Sequence, residues 1–183
     1  MKETAKSPIP PRNQWVVITG APCSGKTTVI RELEKRGYPV VHETARAYIE
    51  KKLREGIPLD RIREDELAYE SAILRQRAAI EKKLDPGLTI FFDRGIPDSI
   101  AYYRLTGLDD REPITLSRET RYKKIFLFER LPFESDAVRS EDDETAAQLE
   151  TLVFKSYQML GYRIVRIPVM PVIDRVNRVL ENL

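Results

Sequence analysis

A short β-branched run, Trp15-Val16-Val17-Ile18-Thr19, leads directly into Gly20-Ala21-Pro22-Cys23-Ser24-Gly25-Lys26-Thr27. The loop fits G-x-x-x-x-G-K-[ST], a spacing with a mechanism behind it. Gly20 and Gly25 carry no Cβ, so the backbone through Ala21, Pro22, Cys23 and Ser24 can bend tightly around phosphate oxygens. Lys26 supplies a point charge for the β- and γ-phosphates, and the Thr27 hydroxyl takes one Mg²⁺ position. From Thr27 and Thr28 onward a helix is expected, with Val29, Ile30 and Leu33 at helical spacing and Gly37 as its stop. Its N-terminal amides would face the same anion. Strand, glycine loop and helix in this order point to Mg²⁺-dependent binding of ATP or GTP.

The rest of the chain reads as the body such a loop needs. At 183 residues, 42% hydrophobic and 33% charged, it has the size and composition of one globular domain. No apolar run reaches the length of a membrane span, the N-terminus lacks a secretory apolar region, and the one cysteine, Cys23, forms no internal disulfide; a reducing, cytoplasmic setting is expected. The sequence pI near 8.6 looks basic. Lys2, Lys6 and Arg12 against Glu3 place the whole formal excess of +2 in the first fourteen residues. The body is therefore neutral, which disfavours a nucleic-acid partner. Residues 1–14, with Pro8, Pro10 and Pro11, read as a flexible leader, and 15–183 as the folded domain.

Further strands are expected over 39–42, 88–92, 124–129 and 163–167, alternating with helices over 44–55, 61–85 (capped by Asp60), 97–105, 141–160 (from an N-cap at Ser140) and through Leu180; 108–122 is irregular or holds a short helix. In the long second helix Leu67, Ile73, Leu74, Ala78, Ile80 and Leu84 mark the apolar side, and Arg75, Arg77, Lys82 and Lys83 the solvated one. Such alternation means a parallel sheet covered on both faces, with ligands outside the carboxyl ends of its strands. The phosphate loop, Glu43, Asp93-Arg94 and Glu129-Arg130 all follow strand ends, so they should meet at one rim.

Asp93 ends an apolar strand, the placement of an acid that holds Mg²⁺ directly or through water; its alternative is a turn or capping aspartate. Arg94 is read as a clamp on a phosphate or on the acceptor, or as a salt bridge to Glu43 or Asp98. Glu43 either takes the proton of an acceptor hydroxyl, or holds a Mg²⁺-bound water, or pairs with Arg46. Arg130 and Arg139 belong to a polar segment, about 130–142, that reads as a lid able to neutralise transition-state charge, or as a solvated loop. Tyr48, Tyr69, Tyr102 and Tyr103 sit on helices as acceptor-pocket walls or packing residues. Arg46 and Tyr102 join Glu43 and Arg94 as expected acceptor contacts. His42, the one histidine, reads as a packed or part-exposed strand residue.

Taken in order, Gly20–Thr27, His42-Glu43-Thr44-Ala45-Arg46, Phe92-Asp93-Arg94-Gly95 with Asp98-Ser99 and Ala101-Tyr102-Tyr103, Asp136-Ala137-Val138-Arg139, and Tyr157 with Leu160-Gly161-Tyr162 resemble the NadR-like AAA-domain family of P-loop proteins. The resemblance covers residues 15 to about 180. It implies a three-layer α/β fold with a five-stranded parallel sheet in the order 2-3-1-4-5, and kinship with nucleoside and nucleotide kinases. It further implies that Glu43 acts as base, that Asp93-Arg94 is the acid–arginine pair after the third strand, and that Arg139 is a lid arginine. The expected activity is γ-phosphoryl transfer from ATP or GTP to a small hydroxyl or phosphate acceptor. The competing expectation is a slow nucleotide switch that contacts a lipid headgroup or a protein. No N-K-x-D guanine motif occurs, and neither the acceptor nor the oligomeric state is legible.

Overall fold

The computed structural model describes residues 13–131 and 143–183. Five parallel strands form one sheet: β1 Val16–Thr19, β2 Val40–Val41, β3 Phe91–Asp93, β4 Lys124–Phe128 and β5 Ile164–Ile167, in the order β2-β3-β1-β4-β5. Registers run Val16 to Phe91, Val16 to Lys124, Val40 to Phe91 and Ile125 to Ile164, so the strand ends lie level at the carboxyl edge. The expected strand order is the one found.

The period of two along each strand divides the core. Val17, Phe92, Ile125 and Leu127 face one side, where they meet α5 Ile96–Leu105 and α7 Asp143–Met159 through Ala101, Leu149, Val153 and Tyr157. Val16, Ile18, Phe91, Phe126 and Phe128 face the other. There α1 Lys26–Lys35 supplies Val29, Ile30 and Leu33, and α8 Val172–Glu181 supplies Val176 and Val179. Strands buried on both faces need continuous apolar sequence, which these have.

Of three further helices, α2 Thr44–Arg54, α3 Leu59–Ile62 and α4 Glu66–Glu81, α2 packs on α3 and on α4, and α4 packs on α5; α6 Arg111–Ser117 follows α5 and packs on it. The single helix expected over 61–85 is two. Asp60 lies inside the short α3, and the cap of α4 is Asp65, whose side chain accepts from Ala68 N at 2.9 Å. The expected solvated side of α4 also needs correction. Arg77 is buried, as are Glu70 and Glu81, whereas Leu67 is exposed. The buried stripe is Glu70, Ile73, Leu74, Arg77, Ala78 and Glu81, spaced i, i+3, i+4, i+7, i+8 and i+11. His42 lies on the surface against Glu34 at 3.2 Å. Asn13 is buried and its side chain accepts from Trp15 N at 3.0 Å; residues 1–12 of the expected leader lie outside the described residues. Ser140, and most of the segment expected to form a lid, fall outside the described residues.

Candidate active site

The loop from Gly20 to Thr27 closes over the carboxyl end of β1 through backbone that only certain residues can adopt. Gly20 has φ +139°, and a Cβ there would sit 2.5 Å from the Phe128 carbonyl oxygen. Gly25 has φ +80°, and a Cβ would meet Arg175 Nη1 at 2.8 Å. Cys23 takes φ 60° at the exposed tip. Lys26 folds back into the loop: Nζ donates to Ala21 O at 2.7 Å and to Ser24 Oγ at 3.1 Å. Burial, with Arg94 adding to it, lowers the ammonium to about 8, against the pull of Asp93, Glu43 and Asp98. An anion in the loop would reverse that balance.

The Thr27 hydroxyl donates to Asp93 Oδ2 at 2.9 Å. Asp93 Oδ1 is buried and has no hydrogen-bond partner among the described residues. Burial raises this carboxyl, Glu43 adding to the rise while Lys26 and Arg94 oppose it. A hard oxygen left orphaned beside a hydroxyl, under a phosphate loop, fits Mg²⁺, which binds through one or two protein oxygens and takes the rest from water and phosphate.

Arg94 has φ 72°, a left-handed conformation that sends its side chain back under the loop. Nη1 donates to Gly20 O at 2.9 Å and lies 3.3 Å from Asp98 Oδ1, while Nε donates to Glu43 Oε1 at 3.0 Å. Asp98 is fully buried. It also accepts from Thr19 Oγ1 at 2.5 Å, Tyr157 OH at 2.6 Å and Gly95 N at 3.0 Å. The Tyr102 ring lies 5.5 Å from the guanidinium. Burial acts to raise the Glu43 carboxyl, but Arg94 and Lys26 outweigh it and the net shift is downward. Glu43 is therefore ionised at neutral pH.

Lys26, Thr27, Glu43, Arg94 and Tyr102 line one cleft of about 490 Å³ that reaches from Pro22 to α4. Arg46 borders it while lying 3.8 Å from Glu50, and Glu43 pairs with Arg94 instead. Tyr69 lines the cleft as well. Tyr48 meets Tyr69 edge to face with ring centroids 5.9 Å apart, and Tyr103 is buried with its hydroxyl 3.1 Å from Ser71 Oγ. Arg130 follows β4 at the same rim, its Nε 3.8 Å from Glu150. Arg139 lies outside the described residues.

Three site residues escaped the sequence reading. Arg175, from α8, donates Nη1 to Ser24 O at 2.7 Å and Nε to Met170 O at 2.9 Å, bracing the back of the loop. Glu70 and Arg77 line the far end of the cleft. All three are charged residues at core spacing on their helices, and that conflict with the apolar stripe was the available signal.

The family profile of the AAA domain matches residues 15–175. No curated protein matches the sequence. Among solved structures, the NadR protein in complex with NR is similar with a TM-score of 0.66 at 16% identity, over 92% of this chain and 49% of that one, so this chain spans about half its length. Thymidylate kinase from Ehrlichia chaffeensis gives a TM-score of 0.65 at 16% identity over 92% and 96% of the two chains. Deoxyadenosine kinase from M. mycoides gives 0.62 at 15% identity over 92% and 97%. At these identities the likeness is one of fold. With the profile spanning nearly the whole body and the phosphate loop, sheet order and strand-end acids in place, the chain belongs to the NadR-like AAA-domain family of P-loop proteins.

Proposed function

We propose that this protein transfers the γ-phosphoryl group of ATP or GTP to a small acceptor carrying a hydroxyl or a phosphate. One observation carries the reading: Thr27, Glu43 and Arg94 line the same cleft as the Lys26 loop, and the Thr27 hydroxyl is bonded to Asp93 behind it. A structural ion pair alone would not explain a buried carboxylate oxygen without a partner next to a phosphate cradle.

The loop backbone and Lys26 hold the β- and γ-phosphates. Thr27 and Asp93 would hold Mg²⁺, which neutralises phosphate charge when bound. Arg94 fixes Glu43 and faces the acceptor side of the cleft. For a hydroxyl acceptor, its oxygen forms a bond to Pγ as the bond from Pγ to the β-bridging oxygen breaks. The hydroxyl proton passes to the ionised Glu43 carboxylate, and the nucleoside diphosphate leaves. Arg130 and Arg139 are assigned to charge stabilisation from the lid. No helix among the described residues is long and apolar enough to cross a membrane, which together with the single cysteine suits a cytoplasmic kinase.

The test is a panel of small acceptors with γ-labelled nucleotide and Mg²⁺. Label should appear in one acceptor class, and Glu43→Gln should lower transfer about 10²-fold or more while nucleotide affinity stays level. Label released only to water across the panel, or unchanged transfer in Glu43→Gln, would overturn the assignment.

A further inference from the structure

Arg175 is a buried cation to which the transfer chemistry gives no part. It shares the buried face of α8 with Val176 and Val179 and is 3% exposed. A guanidinium this deeply buried ordinarily faces a carboxylate. Among the described residues no acid pairs with it, and burial lowers its pKa with nothing to offset the shift. Both of its hydrogen bonds go to carbonyls instead. Nη1 donates to Ser24 O in the phosphate loop at 2.7 Å, and Nε to Met170 O in the turn between β5 and α8 at 2.9 Å. The guanidinium lies flush against the loop backbone, since a Cβ at Gly25 would come within 2.8 Å of Nη1. The consequence falls on the peptide that joins Ser24 to Gly25. It is trans, so its C=O and N–H point in opposite directions. With Ser24 O drawn back to α8, Gly25 N–H is turned away from α8. Gly25 lines the cleft, and its N–H donates to no group among the described residues. A charged donor on the carbonyl also polarises the amide, which makes that N–H a stronger donor.

We propose that Arg175 is a positioning residue for polyphosphate: it holds the Ser24–Gly25 peptide with the Gly25 N–H aimed at a phosphate oxygen, and the bound polyphosphate supplies the counter-charge to this buried guanidinium. The proposal rests on the reading of the loop as a nucleotide site and deepens it. A loop of amides binds an anion because its donors converge. One flipped peptide would present a carbonyl oxygen to the phosphate and repel it. Gly25, at φ +80° and without a Cβ, gives that peptide little resistance to turning. The restraint comes from outside the loop, from a side chain 151 positions away. The Nε bond to Met170 O and the Phe128 ring, 5.7 Å from the guanidinium, fix the direction of the fork that applies it.

The test uses the full chain with Mg²⁺ and ADP, wild type beside Arg175→Met and Arg175→Lys. Calorimetry should show ADP binding at least ~10-fold weaker in Arg175→Met, the loss expected when a hydrogen bond from a charged donor is removed. Arg175→Lys should fall between the two, because an ammonium keeps the charge but loses the fork that reaches both carbonyls. With eight glycines in the chain, isotope-labelled glycine gives an amide spectrum simple enough to assign. In the wild type, ADP should move the Gly25 amide proton downfield. In ligand-free Arg175→Met the same proton should lie upfield of its wild-type position, while those of Gly37, Gly56 and Gly107 stay in place. Thermal melts of all three proteins report folding. A lowered Tm with ADP affinity and the Gly25 resonance unchanged would make Arg175 a support for α8 alone and overturn the proposal. A Gly25 amide that ADP leaves unmoved in the wild type would overturn it without any variant. A wild-type chain that binds no ADP refutes the nucleotide reading of the loop itself, and the proposal with it.

Discussion

Lys26 should make the empty protein less stable than it would be without the charge, and the effect can be followed with pH. Lys26 is 5% exposed, and its ammonium falls from the ordinary 10.5 to about 8, chiefly by desolvation. At about 1.4 kcal/mol per factor of ten, holding it protonated at pH 7 costs the folded state on the order of 3 kcal/mol. Lys26→Met keeps most of the apolar stem and removes that cost. It also removes hydrogen bonds to Ala21 O and Ser24 Oγ, each worth about 1 kcal/mol. The difference leaves the variant more stable than wild type by roughly 1 kcal/mol at pH 7, a Tm gain of about 2–4 °C for a chain of this size. The sign follows from the lowered folded pKa. Wild type carries the full penalty below about 8 and loses it progressively between about 8 and 10.5, where Lys26 is neutral in the folded state. The variant's advantage should therefore shrink and then reverse over that interval. Paired thermal melts of both proteins from pH 6 to pH 10.5 cancel every other titration in the difference. Nucleotide at a hundredfold excess over Kd should stabilise the wild type by about 2.7 kcal/mol, seen as a raised Tm, and leave the variant unmoved. A Tm difference that does not change with pH would refute the claim that Lys26 is a desolvated charge held in wait for phosphate.

Three further outcomes are expected. Gly20→Ala forces a Cβ to 2.5 Å from the Phe128 carbonyl oxygen at φ +139°, so it should cost at least ~2 kcal/mol in a denaturant melt and weaken nucleotide binding together with it. Glu81 is pushed up to about 7 by burial, although Tyr122 OH donates to it at 2.5 Å. A raised carboxyl contributes stability that is complete below its ordinary 4.5 and is lost as pH rises through about 7, so Glu81→Gln should gain on wild type by on the order of 3 kcal/mol between pH 4.5 and pH 8; parallel melting curves would contradict this. In the empty protein near pH 8, nucleotide binding should draw a proton onto Lys26, visible as a buffer-dependent heat in calorimetry.

Much of this architecture was legible before any coordinates. Period and spacing are local: an apolar run reads as a buried strand wherever it packs, and a glycine loop before a helix exposes its amides in any setting. Parallel strands then send their carboxyl ends to one edge, so Glu43 and Asp93 had to approach the phosphate loop. Helix boundaries were less secure. Asp60 and Asp65 are both competent caps, and the choice fell to the one whose side chain reaches a free amide.

What the chain order could not decide was who answers whom. Arg94 had Glu43 and Asp98 as rival partners on paper; the left-handed turn at Arg94 lets it take both and Gly20 O besides. Arg175 reaches Ser24 across 151 positions, an encounter only the docking of α8 creates. Glu70 and Arg77 look solvated when a helix is read by residue type, and become buried when α4 turns that face toward the cleft. Sequence alone thus determined the strands, the loop and the edge where they meet, because those depend on near neighbours. Tertiary structure decided the charge partners and their desolvation, because both depend on what distant segments bring alongside.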